Sequence, residues 1–298
     1  MKNYMYIIVA TMALSFEYLL IKASAGASPF LTGMMIFSVA GILLAAGAGK
    51  QQKVVDYKRC LPWAVLVGVI GSCCNFLWIY GTRLTTVANA SSLGRLDVVF
   101  TLLMSAFLFR EKIPLKMWPC IVLSLAGAAV VSCSGADLSC SVNAGDWMVV
   151  GAALMLSLNS FIIKRFSGSF GPMRLAAVNC GINVIFFSLA WLLSGNAAEI
   201  LSLPLATWIM LILCGICSFL FFFGYYSGVR ELPVWEVRLI ALSAPVITTV
   251  GGYMFLNETV NLYEFAGILM LLAGSCGIVL SGIVKQVIRH DIIIQGAD

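Results

Sequence analysis

The chain has 298 residues, of which 61% are hydrophobic and only 10% charged, and its mean hydropathy is +1.01. A soluble domain uses roughly 25% charged residues to face water, so this composition excludes a water-soluble fold and leaves lipid as the natural solvent. The net charge of +5 suits loops lying against anionic lipid and points to no nucleic-acid partner.

A transmembrane helix takes about 20 residues, so the chain holds about ten spans and short loops. In chain order the apolar stretches predict spans at 5–22, 29–48, 61–82, 84–109, 115–133, 147–164, 172–194, 206–228, 233–256 and 261–284. Uniform apolar runs of this length satisfy their backbone in lipid as helices. Strands of a transmembrane barrel would alternate apolar and polar residues, and these do not. The first stretch also resembles a secretory signal, with Ala23-Ser24-Ala25 as a small-residue cleavage site. Glu17 and Lys22 sit poorly in such a segment, and it is read as a span.

Lys and Arg fall unevenly on the two sides. The N-terminal side carries fourteen, from Lys2 to Arg289, against only Lys22 and Arg83 opposite. Loops rich in Lys/Arg stay in the cytoplasm. Both termini are therefore expected to be cytoplasmic in a cell (inner) membrane, with loops 134–146 and 195–205 external.

Charges inside the spans are the informative positions, each costing ~2.5–3.5 kcal/mol at a helix centre on insertion scales. Glu17, about a turn from the end of the first span, is a candidate proton carrier; a plain bond to a neighbouring Lys or Ser is the alternative. Arg95 and Asp97 interrupt span 84–109. Two apart on a continuous helix, they point to different faces and cannot simply neutralise one another. They either line a substrate cavity or make interhelical salt bridges. Glu236 and Arg238 repeat the theme in reversed order, Glu236 as a second proton-coupling candidate and Arg238 with the option of snorkelling. Trp78 and Tyr225, with Tyr80 and Tyr226, suit an aromatic belt first and substrate contact second. Asn75 and Asn159 serve as interhelical glue or as ligands. Gly68, Gly71 and Ser72 suit a close packing face. The cysteines, including Cys73, Cys74 and the Cys214-x-x-Cys217 pair, read as apolar filler rather than a metal site, because the one histidine is His290 in the tail. Cys133 and Cys140 are the pair to bridge in an oxidising space.

Shifting the chain by 147 residues lays 78–133 on 225–280 without a gap. Gly81 and Arg83 fall on Gly228 and Arg230, Thr101 on Thr248, Glu111 on Glu258, and Leu125-Ala126-Gly127 on Leu272-Ala273-Gly274. A shift of 142 pairs Ser15 and Lys22 with Ser157 and Lys164. Each half holds five predicted spans, an odd number, so the halves enter the membrane in opposite senses. That architecture belongs to many alternating-access transporters, with the substrate site between the repeats.

Phe109-Arg110-Glu111 and Leu256-Asn257-Glu258 are each followed, sixteen residues after the Glu, by the Gly of a Leu-Ala-Gly. These motifs, with Leu232-Pro233-Val234-Trp235-Glu236 leading to Ala244-Pro245-Val246, resemble the two halves of the EamA family within the drug/metabolite transporter superfamily. The resemblance covers essentially the whole chain. It implies an all-α integral membrane protein of ten transmembrane helices in two inverted five-helix repeats, at 1–133 and 147–284, before a cytoplasmic tail at 285–298. It also implies export or exchange of small metabolites such as amino acids. Asp97-Val98 stands where the second half has Ala244-Pro245, and Glu17 where many members carry a small or amide residue.

The expected function is thus secondary transport of a small polar or zwitterionic solute, since mixed charges suit a substrate bearing both signs. The expected partners are that solute and the bilayer, with homo-oligomerisation left open and no cofactor. An intramembrane enzyme and a passive channel are the rivals. Against the enzyme, the sequence has no His-Glu metal motif, nucleophile elbow or phosphate-cradling Gly loop.

Overall fold

The computed structural model describes residues 2–48, 57–109, 115–133, 143–195, 199–231 and 240–295, and its regular structure is helical throughout. The helices are α1 (Lys2–Ala23), α2 (Pro29–Ala48), α3 (Tyr57–Leu84), α4 (Val87–Leu93), α5 (Leu96–Phe109) and α6 (Trp118–Cys133). After them come α7 (Ala144–Phe170), α8 (Pro172–Leu193), the single turn α9 (Glu199–Ser202), α10 (Leu205–Glu231), α11 (Ala244–Leu256) and α12 (Leu262–Gln295). Among the described residues eight helical stretches are long and apolar enough to cross a membrane, and Leu115–Val131 and Ala244–Leu256 are shorter apolar helices. The chain is a multi-pass, all-helical membrane protein.

Polar residues at the helix ends explain why the chain turns where it does. Pro29 opens α2 behind Ser28, whose hydroxyl accepts from Leu31 N at 3.2 Å. Thr86 caps α4, accepting from Asn89 N at 3.1 Å. Asn261 and Glu264 form a reciprocal capping box at α12: Glu264 N donates to Asn261 Oδ1 at 2.8 Å, and Asn261 N to Glu264 Oε2 at 3.0 Å. Asn257 ends α11 in the left-handed conformation (φ 53°), and Glu258 N then donates to Gly252 O at 3.1 Å.

The stretch 84–109, predicted as one span, is two helices. The chain breaks at Gly94-Arg95, where Arg95 N bonds Ser92 O at 2.9 Å and Val98 N bonds Arg95 O at 3.1 Å, both three-residue steps. Gly94 is pressed against Tyr18: a Cβ there would lie 3.0 Å from the Tyr18 hydroxyl. A second break precedes α11, at Leu242-Ser243, where Pro245 in the first turn has no N–H to give a preceding carbonyl.

The main packing partners are α1 with α10, α3 with α7, α2 with α8, and α6 with α12. Between helices in lipid there is little hydrophobic drive, so small residues that admit close backbone contact matter. The motif glycines do this work at the α6–α12 crossing. A Cβ on Gly127 would lie 2.7 Å from Gly267 O, and one on Gly274 2.6 Å from Cys120 O. Gly68 and Gly71 likewise face Ile182 and Asn179 of α8.

Candidate functional site

A cavity of about 130 Å³, measured as the volume open to the centres of water-sized molecules, lies between α1, α3, α7 and α10. An engineered apolar cavity of about 150 Å³ takes up benzene, so this one has room for a small organic solute. The two helix breaks border it: Gly94, Arg95, Asp97 and Val98 come from the first and Ala241 from the second.

Of the residues singled out in the sequence, Glu17, Asn75, Trp78, Arg95, Asp97, Asn159 and Tyr225 all line this cavity. Glu236 and Arg238 lie outside the described residues, as do Glu111 and the side chains of Cys133 and Cys140. Arg95 and Asp97 were expected on different faces of one helix. The break changes that, and both meet the same cavity. Arg95 is only 7% exposed and donates from Nη1 to Ala241 O at 3.4 Å, a carbonyl at the other break. Asp97 sits in the first turn of α5, where a carboxylate complements the helix dipole. Its backbone carbonyl accepts from Ser157 Oγ at 2.9 Å and from Thr101 Oγ1 at 2.6 Å.

Glu17 is 1% exposed. Its Oε1 accepts a short hydrogen bond from Ser218 Oγ on α10, the plain bond to Ser that was the alternative to a functional role. Its Oε2 is buried with no hydrogen-bond partner among the described residues. Asn75 and Asn159 both act between helices, donating to Asn183 Oδ1 at 2.9 Å and to Val67 O at 3.1 Å. Both also face the cavity, so the two readings are compatible. Trp78 and Tyr225 line the cavity wall. Trp78 packs edge-on to Tyr18 at 5.2 Å, and Tyr225 stacks on Phe221 at 5.5 Å.

Sequence reasoning passed over Tyr18, Asn179 and Ser218, and left Tyr226 to the belt. All four line the cavity. Asn179 and Asn183 extend an amide chain from Asn75: Asn183 Nδ2 donates to Asn179 Oδ1 at 3.0 Å, and Asn179 reaches Tyr226. Lone amides and hydroxyls in apolar stretches were the signal available for them. Among the described residues no cluster of His, Cys, Asp or Glu could hold a metal, and Cys60, Cys74, Cys180 and Cys214 are buried as free thiols.

Polar contacts cross-link one end of the bundle. Lys22 bridges to Glu258 at 3.4 Å and donates to Thr85 O. Glu258 Oε2 accepts from Val87 N at 2.9 Å, holding the start of α4. Thr85 donates to Asp146 at 2.5 Å, and Arg83 donates to Ala27 O and to Thr32 Oγ1 at 2.6 Å.

The family model of the EamA-like transporter family matches residues 1–133 and 143–280. An "uncharacterized transporter" of Methanothermobacter thermautotrophicus is 26% identical over 223 residues, which are 72% of this chain and 63% of that protein. "Uncharacterized transporter YxxF" of Bacillus subtilis is 25% identical over 206 residues, 67% of this chain and 64% of that one. The matched stretch thus spans just under two thirds of these two relatives. An "uncharacterized transporter" of Clostridium kluyveri is 22% identical over 286 residues and 92% of each chain. A crystal structure of another protein has a similar fold, with a TM-score of 0.63 at 18% identity over 96% of this chain and 98% of that one.

Proposed function

The chain belongs to the EamA-like transporter family, and on that premise we propose that it is a secondary transporter of a small polar or zwitterionic metabolite such as an amino acid. It exports or exchanges that solute by alternating access across the cell (inner) membrane, as a carrier and not an enzyme. The observation that carries the reading is the cavity, which is bordered by two helix breaks and holds buried charge. Discontinuous helices around a midplane site are the usual architecture of carriers, because freed backbone groups there can meet a solute.

The same reading takes the chain as ten spans in two inverted repeats, 1–133 and 147–284, with a tail at 285–298 and both termini cytoplasmic. Reciprocal packing supports it: α1 lies on α10 as α3 lies on α7, and α1 meets α11 as α7 meets α5. The end tied by Lys22 and Glu258 is then the outer end, closed. Arg95, Asp97, Asn75, Trp78, Asn159 and Tyr225 contact the solute, with Glu236 and Arg238 completing the set. Glu17 or Glu236 carries the proton.

A thermal-stabilisation screen of the purified protein against a metabolite library names the solute, and proteoliposomes then test the mechanism. Saturable counterflow is expected, and flux linear in concentration would make the protein a channel. An imposed pH gradient should drive accumulation, abolished by Glu17→Gln or Glu236→Gln. A parent protein indifferent to the gradient would be a facilitator or use another ion.

A further inference from the structure

Among the described residues lining the cavity, three carry charge: Glu17, Arg95 and Asp97. One guanidinium against two carboxylates leaves one negative charge over when all are ionised, and Glu236 and Arg238, which the transport reading adds to the site, cancel one another. An uncompensated charge among apolar and aromatic walls is strongly unfavourable. A zwitterion brings no net charge and leaves that excess in place, and an anion doubles it. A single positive charge removes it.

The excess also has a location. Glu17 already spends one oxygen on Ser218, and the other is buried without a partner among the described residues. Arg95 and Asp97 each lie beside Tyr18 at the first break, whereas Glu17 has no cationic partner among the described residues, so Glu17 is the carboxylate left for the occupant. An ammonium group has donors and no acceptor, the complement of a lone carboxylate oxygen. Phe221, Phe222, Tyr225 and Tyr226 line the same cavity, and ring faces attract a cation.

We propose that Glu17 Oε2, backed by the α10 aromatic rings, is the subsite for the positively charged group of a small organic monocation, such as an arylalkyl ammonium ion. This deepens the transport reading and rests on it for the identity of the cavity as the solute site. It narrows the polar or zwitterionic solute to one with net charge +1. With the cation absent, the same oxygen is open to a proton.

Three probes share a ring and nearly a size and differ in charge: 2-phenylethylamine as the cation, phenylalanine as the zwitterion and phenylacetate as the anion. Equilibrium dialysis against purified protein in micelles, corrected with empty micelles, should rank them amine, then amino acid, then acid. Glu17→Gln should weaken the amine by at least about thirtyfold, the range for removing one partner of a buried charge pair, and leave the acid unchanged or improved. Size exclusion and melting check that this variant folds. Should it not fold, Glu17→Asp keeps the charge and must keep the ranking. Phenylalanine or phenylacetate binding as tightly as the amine overturns the assignment, as does amine binding that survives Glu17→Gln, or folded parent protein that binds none of the three. Saturable counterflow of any solute upholds transport whatever the ranking, so the two readings fail separately.

Discussion

Along α1 the cavity is lined by Ile7, Ala10, Thr11, Leu14 and Glu17, and along α7 by Val149, Ala152, Ala153, Leu156 and Asn159, each 142 positions later. Along α3 it is lined by Gly71, Cys74, Asn75 and Trp78, and along α10 by Ser218, Phe221, Phe222 and Tyr225, each 147 positions later. The two walls present matched positions and unlike chemistry. Position follows from packing, down to local bonds: Ser15 donates to Thr11 O at 2.8 Å, and Ser157, its counterpart, to Ala153 O at 2.9 Å. Chemistry is free to diverge, so Glu17 faces Asn159 across the repeat, and Arg95 and Asp97 correspond to Leu242 and Ala244. The two halves thus present matched positions while the charge among the described lining residues lies in the first half.

The proposed inversion of the two halves is the largest effect to test, because parallel repeats would match the walls as well. Reporter fusions after Lys53, Lys112, Gly168 and Lys285 should report cytoplasm, and fusions at Asp137 and Glu199 the external side. The result is all or none. A cytoplasmic signal from both external positions would overturn the inversion.

The next effect concerns charge, which among the described lining residues lies in the first half. Asp97→Asn keeps the shape and removes the charge. Flux should fall by about a hundredfold or more, while stability should change by only the ~0.3–1 kcal/mol of a helix N-terminal charge, a few degrees at most in melting temperature. Equal losses of flux and stability would make Asp97 a structural pin and leave Glu17 and Arg95 to carry the difference among the described residues.

How much of this was legible in the sequence depended on the strength of each signal. Long apolar runs are forced by lipid into helices, so eight long apolar helices were readable among the described residues, and intramembrane charges are costly enough that Glu17, Arg95 and Asp97 stood out. The break at Gly94-Arg95 was not readable, because no proline marks it and the close neighbour of Gly94, Tyr18, is far away in sequence. Pro245 did mark the second break, and it was noted as a family feature and not as a breaker. Tyr226 was assigned to a belt because distance from a helix end cannot tell the lipid face from the cavity face. Asn179 and Ser218 are small and neutral, and only the amide chain and the bond to Glu17 reveal them.

The smallest effect sharpens the comparison at its aromatic pair. Trp78 and Tyr225 are counterparts, yet Trp78 meets Tyr18 edge-on at 5.2 Å with planes at 78°, whereas Tyr225 stacks on Phe221 at 22°. Trp78→Tyr gives both walls the same residue. It keeps a ring and a polar tip and loses ring area and part of the edge contact, an interaction of about 0.5–1.5 kcal/mol. Affinity should therefore fall by about two- to tenfold, read as a higher KM in counterflow with the solute found by screening. Some of that loss passes through Tyr18, whose hydroxyl lies beside Gly94 and Arg95. The reverse change, Tyr225→Trp, adds volume between Phe221 and Tyr226, whose rings already lie at 5.5 and 6.0 Å. Overpacking of that kind costs about 1–3 kcal/mol, so it should lower the melting temperature more than it raises KM. A lower melting temperature with unchanged KM for Trp78→Tyr would return Trp78 to a packing role and leave recognition to the charged residues alone.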